Sequence, residues 1–567
     1  MRDDPDPETV AELAALVDRG DEEGLSRRFS GRLRFGTAGL RGEVGAGSSM
    51  MNTKVVVQTS AGFAQFLLGR ANRPSIVIGF DARLSSRKFA LAAAQVFAGA
   101  GLSVTLLDGP VPTPILAFSV RELNATAGVM ITASHNPPQD NGYKVYLGGE
   151  DAGSQIAPPV DAEIAALIDE AAAHPLAEIA LDDSVVFDAQ ATQAVTDAYV
   201  TKTLAAGLTT SDVYTFADGD QYRETHTSTP PVIVYTAMHG VGFELTKTLF
   251  AEAGLPELQS VPLQEEPDGR FPTVKFPNPE EPGALDLAFE LANEKTAELI
   301  IAHDPDADRL AIAIPSRDGS AYTQLTGNQV GLLLGWECAE RASGEQAGGG
   351  TLAATVVSSP ALGAVAEAYG LDFAQTLSGF KWVSRVPNLI FGFEEALGYL
   401  VNPGVVRDKD GISAAMLATQ IAVRLHAEGK TLWDRLDEAS AKFGHYASDQ
   451  ITLRLANDSE VERACARIRS HPPKAFGDLT VARFIDYLED GHMPVPANVL
   501  RFDLDDGSRV MIRPSGTEPK LKLYLDANSK AGSVKQRRDS AEGQVHALRE
   551  AAEKLLSGSV GLGAEQS

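Results

Sequence analysis

Ala127-Gly128-Val129-Met130-Ile131 runs directly into Thr132-Ala133-Ser134-His135-Asn136-Pro137-Pro138, and then into Gln139-Asp140-Asn141-Gly142-Tyr143-Lys144. An uninterrupted apolar run of this length reads as a strand buried on both faces, the kind found in parallel sheets. In such folds reactive groups sit on loops just past the carboxyl ends of the strands. Ser134 takes that place. The paired prolines fix φ and bias Asn136 away from helix, so the loop stays open. Lys144 follows close by as a positive charge or proton-transfer group. A local reading competes: Ser and Asn favour turns through their own hydrogen bonds.

The flanks repeat the pattern. Ser75–Asp81 reads as a buried strand, Phe89–Gly99 as an Ala-rich helix, and Leu102–Leu107 as the next strand. This β-α-β rhythm implies a mostly parallel sheet covered by helices. It restarts at Val232–Tyr235, continues through Leu299–Ala302, and starts a third time at Thr351–Val357. From about Gly444 the character changes to alternating strands, Ile451–Leu455 and Val499–Leu504, with a helical segment Glu460–Arg469 between them. The expectation is three similar α/β domains with mixed sheets and a smaller C-terminal α+β domain. Their expected bounds are 1–205, 206–322, 323–443 and 444–556, with a disordered tail at 557–567. Pro7–Val17 reads as a proline-started helix.

A formal net charge of −27 over 567 residues argues against nucleic-acid or membrane-surface partners. It also means that any phosphate site must draw on a local cluster of cations, amides or metal. The two cysteines, Cys338 and Cys465, have no metal-type spacing and suit a reducing cytoplasm. The polar, acidic N-terminus does not read as a signal peptide, and no apolar run is long enough for a membrane helix.

Four more loops carry chemistry. Asp304-Pro305-Asp306-Ala307-Asp308-Arg309 lies between two apolar runs. Three alternate carboxylates repel unless a cation or proton lies among them, and hard oxygen donors suit Mg²⁺. An EF-hand would need Gly and Glu where Arg309 and Pro315 stand, so that reading fails. An aspartyl-nucleophile phosphatase would show Thr or Val where Asp308 stands. A solvated acidic turn is the remaining alternative. Arg513-Pro514-Ser515-Gly516-Thr517-Glu518-Pro519 gathers a guanidinium, hydroxyls and a glycine in one turn, as a phosphate cradle does; an ordinary turn between strands would use similar residues. Phe35-Gly36-Thr37-Ala38-Gly39-Leu40-Arg41-Gly42 would let backbone approach an anion, or serve as a plain Gly-rich turn. Gly392-Phe393-Glu394-Glu395-Ala396-Leu397-Gly398-Tyr399 offers carboxylates for sugar hydroxyls, or a helix start with acids favoured by the dipole. Gly429-Lys430-Thr431 is not a Walker loop, because Arg424 stands where its first glycine belongs.

These five loops, in this order from residue 36 to residue 517, resemble those of the α-D-phosphohexomutase superfamily. The resemblance implies four domains around a central cleft. It implies that Ser134 carries a phosphoryl group and that one Mg²⁺ per chain is held by Ser134, Asp304, Asp306 and Asp308. Lys144 matches the general acid/base, with His135 a lesser candidate; Arg41 and Arg309 add positive charge. Glu394, with Lys381 and Gly379 of Ser378-Gly379-Phe380-Lys381-Trp382, would read the sugar. Arg513, Ser515, Gly516 and Thr517 would hold the phosphate that does not react. The implied activity moves phosphate between C1 and C6 of a hexose, glucose first and mannose second, with a hexose 1,6-bisphosphate as intermediate and activator. The sequence departs from many hexomutases at Ala396, where a serine hydroxyl is common. Two alternatives remain: a phosphopentomutase acting on ribose or deoxyribose 1-phosphate, and, from another class, a Mg²⁺-dependent sugar phosphatase. The partner is thus a small sugar phosphate. The sequence leaves monomer and dimer equally open.

Overall fold

The computed structural model describes residues 4–36, 39–208, 229–344, 349–489, 491, 493–514 and 520–560, with backbone alone at 207–208, 344, 458 and 557–560. These fold into two compact units. The first comprises residues 1–327 and 380–430; the second comprises 328–379 and 431–567.

The first unit holds two complete sheets. In the first, β1 (Leu40–Glu43), β2 (Ser75–Phe80), β3 (Ser103–Leu107), β4 (Ala127–Ile131), β5 (Asp140–Leu147), β6 (Ser154–Gln155) and β7 (Phe187–Asp188) follow the order β1-β5-β4-β2-β3-β7, with β6 on β5. The β4-β2-β3-β7 stretch is parallel. β5 turns back antiparallel to β4, and β1 is antiparallel to β5, so the sheet is mixed. All five residues of β4 are buried, as its unbroken apolar run requires. Helices Thr53–Arg70, Ser86–Gly99 and Thr113–Glu122 cover the sheet. Asn52 caps the first of them by accepting from the Val55 amide at 2.9 Å.

The second sheet is β12-β11-β10-β8-β9, built from β8 (Ile233–Thr236), β9 (Leu258–Ser260), β10 (Leu299–Ala302), β11 (Ala311–Pro315) and β12 (Tyr322–Gln324). β10 is parallel to β8 and antiparallel to β11, so the acidic loop 303–310 leaves the carboxyl end of a fully buried strand. The unit also contains a hairpin, Leu389–Glu394 against Gly398–Leu400, and the helix Gly411–Ala427. Asp410 caps that helix, accepting from the amides of Ile412 and Ser413 at 3.1 Å each.

The second unit contains two parallel strands, Thr351–Thr355 and Asp372–Thr376, joined through helix Ala361–Tyr369. It also contains a six-stranded antiparallel sheet, in which Arg509–Pro514 pairs with Lys520–Ser529. Helices Asp458–Ser470 and Val534–Val560 pack on its apolar face. The last helix reaches Val560, past Ser557, where the sequence suggests a tail; 561–567 lie outside the described residues. The third β-α-β round is divided between the units at Gly379 and Phe380, inside the loop expected to read sugar.

Candidate active site

In the first unit the loops that leave the carboxyl ends of β4 and β10 meet, and β5 adds Lys144 beside them. Ser134 is 3% exposed and holds φ of +53°, in the left-handed region that costs a side-chain-bearing residue energy. Its amide donates to Thr132 Oγ1 at 2.8 Å. Its hydroxyl donates to Asp304 Oδ2 at 2.8 Å and lies 3.2 Å from His135 Nδ1. A serine and an acidic-loop residue 170 positions apart in sequence thus share one hydrogen bond.

Asp304, Asp306 and Asp308 are all fully buried. Each offers one carboxylate oxygen within 4.8 Å of the others'. The solvated-turn alternative therefore fails. Asp306 Oδ1 and Asp308 Oδ1 are buried without a hydrogen-bond partner. Buried oxygens are seldom left that way, and an oxygen-only set at this spacing suits a hard divalent cation. Burial, then Asp306 and Asp308, push the Asp304 carboxyl well above the usual carboxylate range. Asp306 goes the other way. Burial would raise it, but Lys144 and a hydrogen bond from Thr113 Oγ1 at 2.6 Å hold it low.

Three cations surround the carboxylates. The β4–β5 register places Lys144 opposite Met130, just before the serine loop. Its ammonium donates to Asp306 Oδ2 at 2.6 Å and Asp308 Oδ2 at 3.0 Å. Burial works against that charge, yet the two carboxylates raise its pKa above the ordinary lysine value. Arg309 lies 4.0 Å from both Asp304 and Asp308 and 3.4 Å from Glu280. Lys409 lies 3.3 Å from Asp308 and 3.9 Å from Glu394. Arg41, on β1, donates to Asn136 Oδ1 at 3.1 Å. Burial, with Arg309 and Arg41 nearby, pushes His135 well below the usual imidazole range, so its ring is neutral. Behind the loop, His303 is buried between Gly411 O at 3.1 Å and Tyr235 O–H at 2.9 Å, and burial pulls it down to about 4.

The sequence-predicted residues Ser134, His135, Lys144, Arg41, Arg309, Glu394 and the three aspartates thus meet in one unit. Glu394 ends a strand and begins a hairpin turn, so the helix-start alternative for that stretch fails. Gly39 has φ of +83°, and a Cβ there would lie 1.9 Å from Tyr143 O, so pairing of β1 against β5 already requires that glycine. Thr37 and Ala38 lie outside the described residues. Lys381 lies in the first unit on the helical turn Phe380–Val383, where burial pulls it down to about 8. Gly379 and Arg513 belong to the second unit; Arg513 sits opposite Lys522 near the end of its strand. Ser515, Gly516 and Thr517 lie outside the described residues.

Sequence reasoning missed Lys409, Thr113 and Glu280. Lys409 had a signal in Arg407-Asp408-Lys409-Asp410-Gly411, a charge-rich stretch immediately before an Ala-rich helix.

Four family models match the chain in sequence order. They are described as phosphoglucomutase/phosphomannomutase alpha/beta/alpha domains I, II and III, over residues 32–174, 214–317 and 326–443, and the C-terminal domain, over 460–541. The chain belongs to the α-D-phosphohexomutase superfamily. It has three similar α/β domains and a C-terminal domain, and it is an intramolecular phosphotransferase of the phosphoglucomutase/phosphomannomutase type. A protein named "Probable phosphomannomutase" from Haemophilus influenzae is 46% identical over 502 residues, covering 88% of this chain and 98% of that protein. A human protein named phosphopentomutase is 35% identical, covering 94% of this chain and 91% of its own. A Burkholderia thailandensis phosphoglucomutase/phosphomannomutase family protein shares the fold, with a TM-score of 0.68 at 19% identity over 94% of this chain and 98% of that one. Among the described residues no helix is long and apolar enough to cross a membrane.

Proposed function

We propose that this phosphomutase interconverts hexose 1-phosphate and hexose 6-phosphate, glucose before mannose, through a phosphorylated Ser134. The supporting observation is the 2.8 Å hydrogen bond between Ser134 Oγ and Asp304 within a cluster of three buried carboxylates and three cations. Phosphoryl transfer needs little covalent activation; it needs alignment and neutralisation of charge on the equatorial oxygens. Asp304, Asp306 and Asp308, with an oxygen on Ser134, would hold one Mg²⁺, which supplies charge neutralisation and polarisation of the transferring group.

The chain's own groups divide the rest. The bond from phosphorus to Ser134 Oγ breaks as a bond to a sugar hydroxyl oxygen forms, and the bound bisphosphate later returns its other phosphoryl group to Ser134. Lys144 moves the hydroxyl proton. As found it carries its proton, the form that donates. His135, neutral and 3.2 Å from the serine oxygen, is the lesser candidate. Arg41 and Arg309 line the reacting phosphoryl group with positive charge. Glu394, Lys381 and Gly379 take sugar hydroxyls, and Arg513 with Ser515, Gly516 and Thr517 holds the idle phosphate. Added hexose 1,6-bisphosphate activates by phosphorylating the serine. Two free, buried cysteines suit a reducing cytoplasm.

One observation favours a second reading, phosphopentomutase. Ala396 lacks the hydroxyl that would contact a hexose, and the human relative carries that name. Phosphorus-31 NMR of enzyme with Mg²⁺, a trace of glucose 1,6-bisphosphate, and equal glucose 1-phosphate and deoxyribose 1-phosphate separates the readings. Growth of hexose 6-phosphate supports the proposal. Preferential growth of pentose 5-phosphate overturns it in favour of the second reading, and release of inorganic phosphate alone would support a phosphatase.

A further inference from the structure

Arg83 touches none of the carboxylates of the acidic loop, and it is 3% exposed. Its guanidinium nevertheless gathers four carbonyl oxygens from the serine loop. Nη1 donates to Pro137 O at 2.7 Å and Asp140 O at 2.9 Å. Nη2 donates to Ser134 O and Asn136 O at 2.6 Å each. Carbonyl dipoles crowded at one point repel, and a buried positive fork is what makes that convergence stable. An ammonium has three donors and no planar fork, so lysine cannot reproduce it.

The fork itself is held on two sides. Asp81, at the carboxyl end of β2, lies 3.3 Å from Arg83 Nε. Asp81 Oδ1 accepts from the Arg83 amide at 3.0 Å and from Ser86 Oγ at 2.6 Å, while the Asp81 amide donates to Ile131 O of β4 at 3.0 Å. The Phe271 ring lies over the guanidinium, 5.1 Å from its centroid, and is 2% exposed. The turn carrying it is closed tightly on the same segment: a Cβ on Gly269 would come within 2.5 Å of Ala82 O.

We propose that Arg83 is the positioning residue of the phosphoryl-carrying serine. By binding the carbonyl of Ser134 and those of Asn136, Pro137 and Asp140 that follow it, it holds that residue in its left-handed backbone conformation and aims Oγ at Asp304. The inference rests on the phosphoserine reading above. It adds that alignment comes from a charge that does not touch the transferring group, seated between the serine loop and the Phe271 turn. Loss of the fork therefore lowers the rate of phosphoryl transfer while leaving sugar binding intact.

The test uses full-length Arg83→Lys, Arg83→Ala and Phe271→Leu, with thermal melting to establish folding. Phosphoryl uptake from glucose 1,6-bisphosphate is followed by intact mass with peptide mapping, alongside steady-state kinetics. Wild type takes one phosphoryl group on Ser134. Arg83→Lys takes it up about 100-fold more slowly and loses kcat by the same factor, as a misaligned nucleophile does, while KM stays within about twofold. Ethylguanidinium restores part of the rate to Arg83→Ala, and ethylammonium does not. A folded Arg83→Lys with wild-type kcat, or one whose loss falls on KM alone, overturns the inference. If neither Arg83 variant folds, Phe271→Leu decides: a slower uptake at unchanged KM supports it, and an unchanged rate overturns it. Wild type that takes no phosphoryl group on Ser134 removes the phosphoserine reading first, and the role of Arg83 falls with it.

Discussion

Two regions bury opposite charges, and they do so differently. In the six-stranded sheet of the second unit, Arg509 Nε donates to Asp526 at 2.7 Å, its Nη2 donates to Ser358 O, and Ser448 Oγ donates to Asp526 at 2.5 Å. The Arg509 and Asp526 side chains are each 5% exposed and leave no orphaned atom. In the acidic loop of the first unit, three buried carboxylates face Lys144, Lys409 and Arg309, yet Asp306 Oδ1, Asp308 Oδ1 and Arg309 Nε find no hydrogen-bond partner. A pair that serves the fold completes its own hydrogen bonds. A cluster that serves chemistry leaves some of its capacity for a ligand.

Substitutions can break that contrast. The largest effect is expected at Ser134→Ala, which brings turnover to background with unchanged circular dichroism; retained activity would remove Ser134 from the chemistry. Asp304→Asn comes next. It abolishes activity but leaves the metal-free enzyme as stable as wild type or more so, because it relieves a carboxyl held high by burial and by two like charges. A large fall in Tm would show that the cluster is structural after all. Asp526→Ala should do the reverse, costing about 3–5 kcal/mol by leaving Arg509 buried and unpaired. Denaturant unfolding reads that loss, and an unchanged midpoint would contradict the structural role of the pair. Arg513→Ala should raise KM roughly 10-fold at little cost in kcat, the worth of one charge-assisted hydrogen bond; a loss confined to kcat would place it at the reacting phosphate instead. The smallest effect concerns the cysteines. Burial pushes Cys338 up to about 12 and Cys465 up to about 11, so both stay thiols and native protein should resist alkylation at pH 8.

Much of this was legible in the sequence because it was local. The apolar runs of β4 and β10 predict buried strands, and the loops that leave them bear Ser134 and the aspartates within a few residues. The mixed sheet also follows once β5 turns back, since a short loop cannot return a parallel strand. What was not legible depends on convergence across distance. Arg83 is 51 residues from the serine carbonyl it holds, and Thr113 is 193 residues from Asp306. Neither has a local pattern that distinguishes it from a surface arginine or a helix-start threonine. Lys409 stood in a legible charged stretch, but nothing in its spacing tied it to Asp308. The glycines at 36–42 suggest an anion loop, and the structure adds a second demand on one of them, since a Cβ at Gly39 would meet Tyr143 O.

The most direct test of the central claim is a label-transfer experiment. Enzyme with Mg²⁺ is incubated with glucose 1,6-bisphosphate carrying ³²P, digested and mapped, and in a parallel sample chased with unlabelled glucose 1-phosphate. The account predicts label on the peptide bearing Ser134, lost in the chase to the sugar phosphate pool. Label that appears as inorganic phosphate, or that never reaches Ser134, would contradict it.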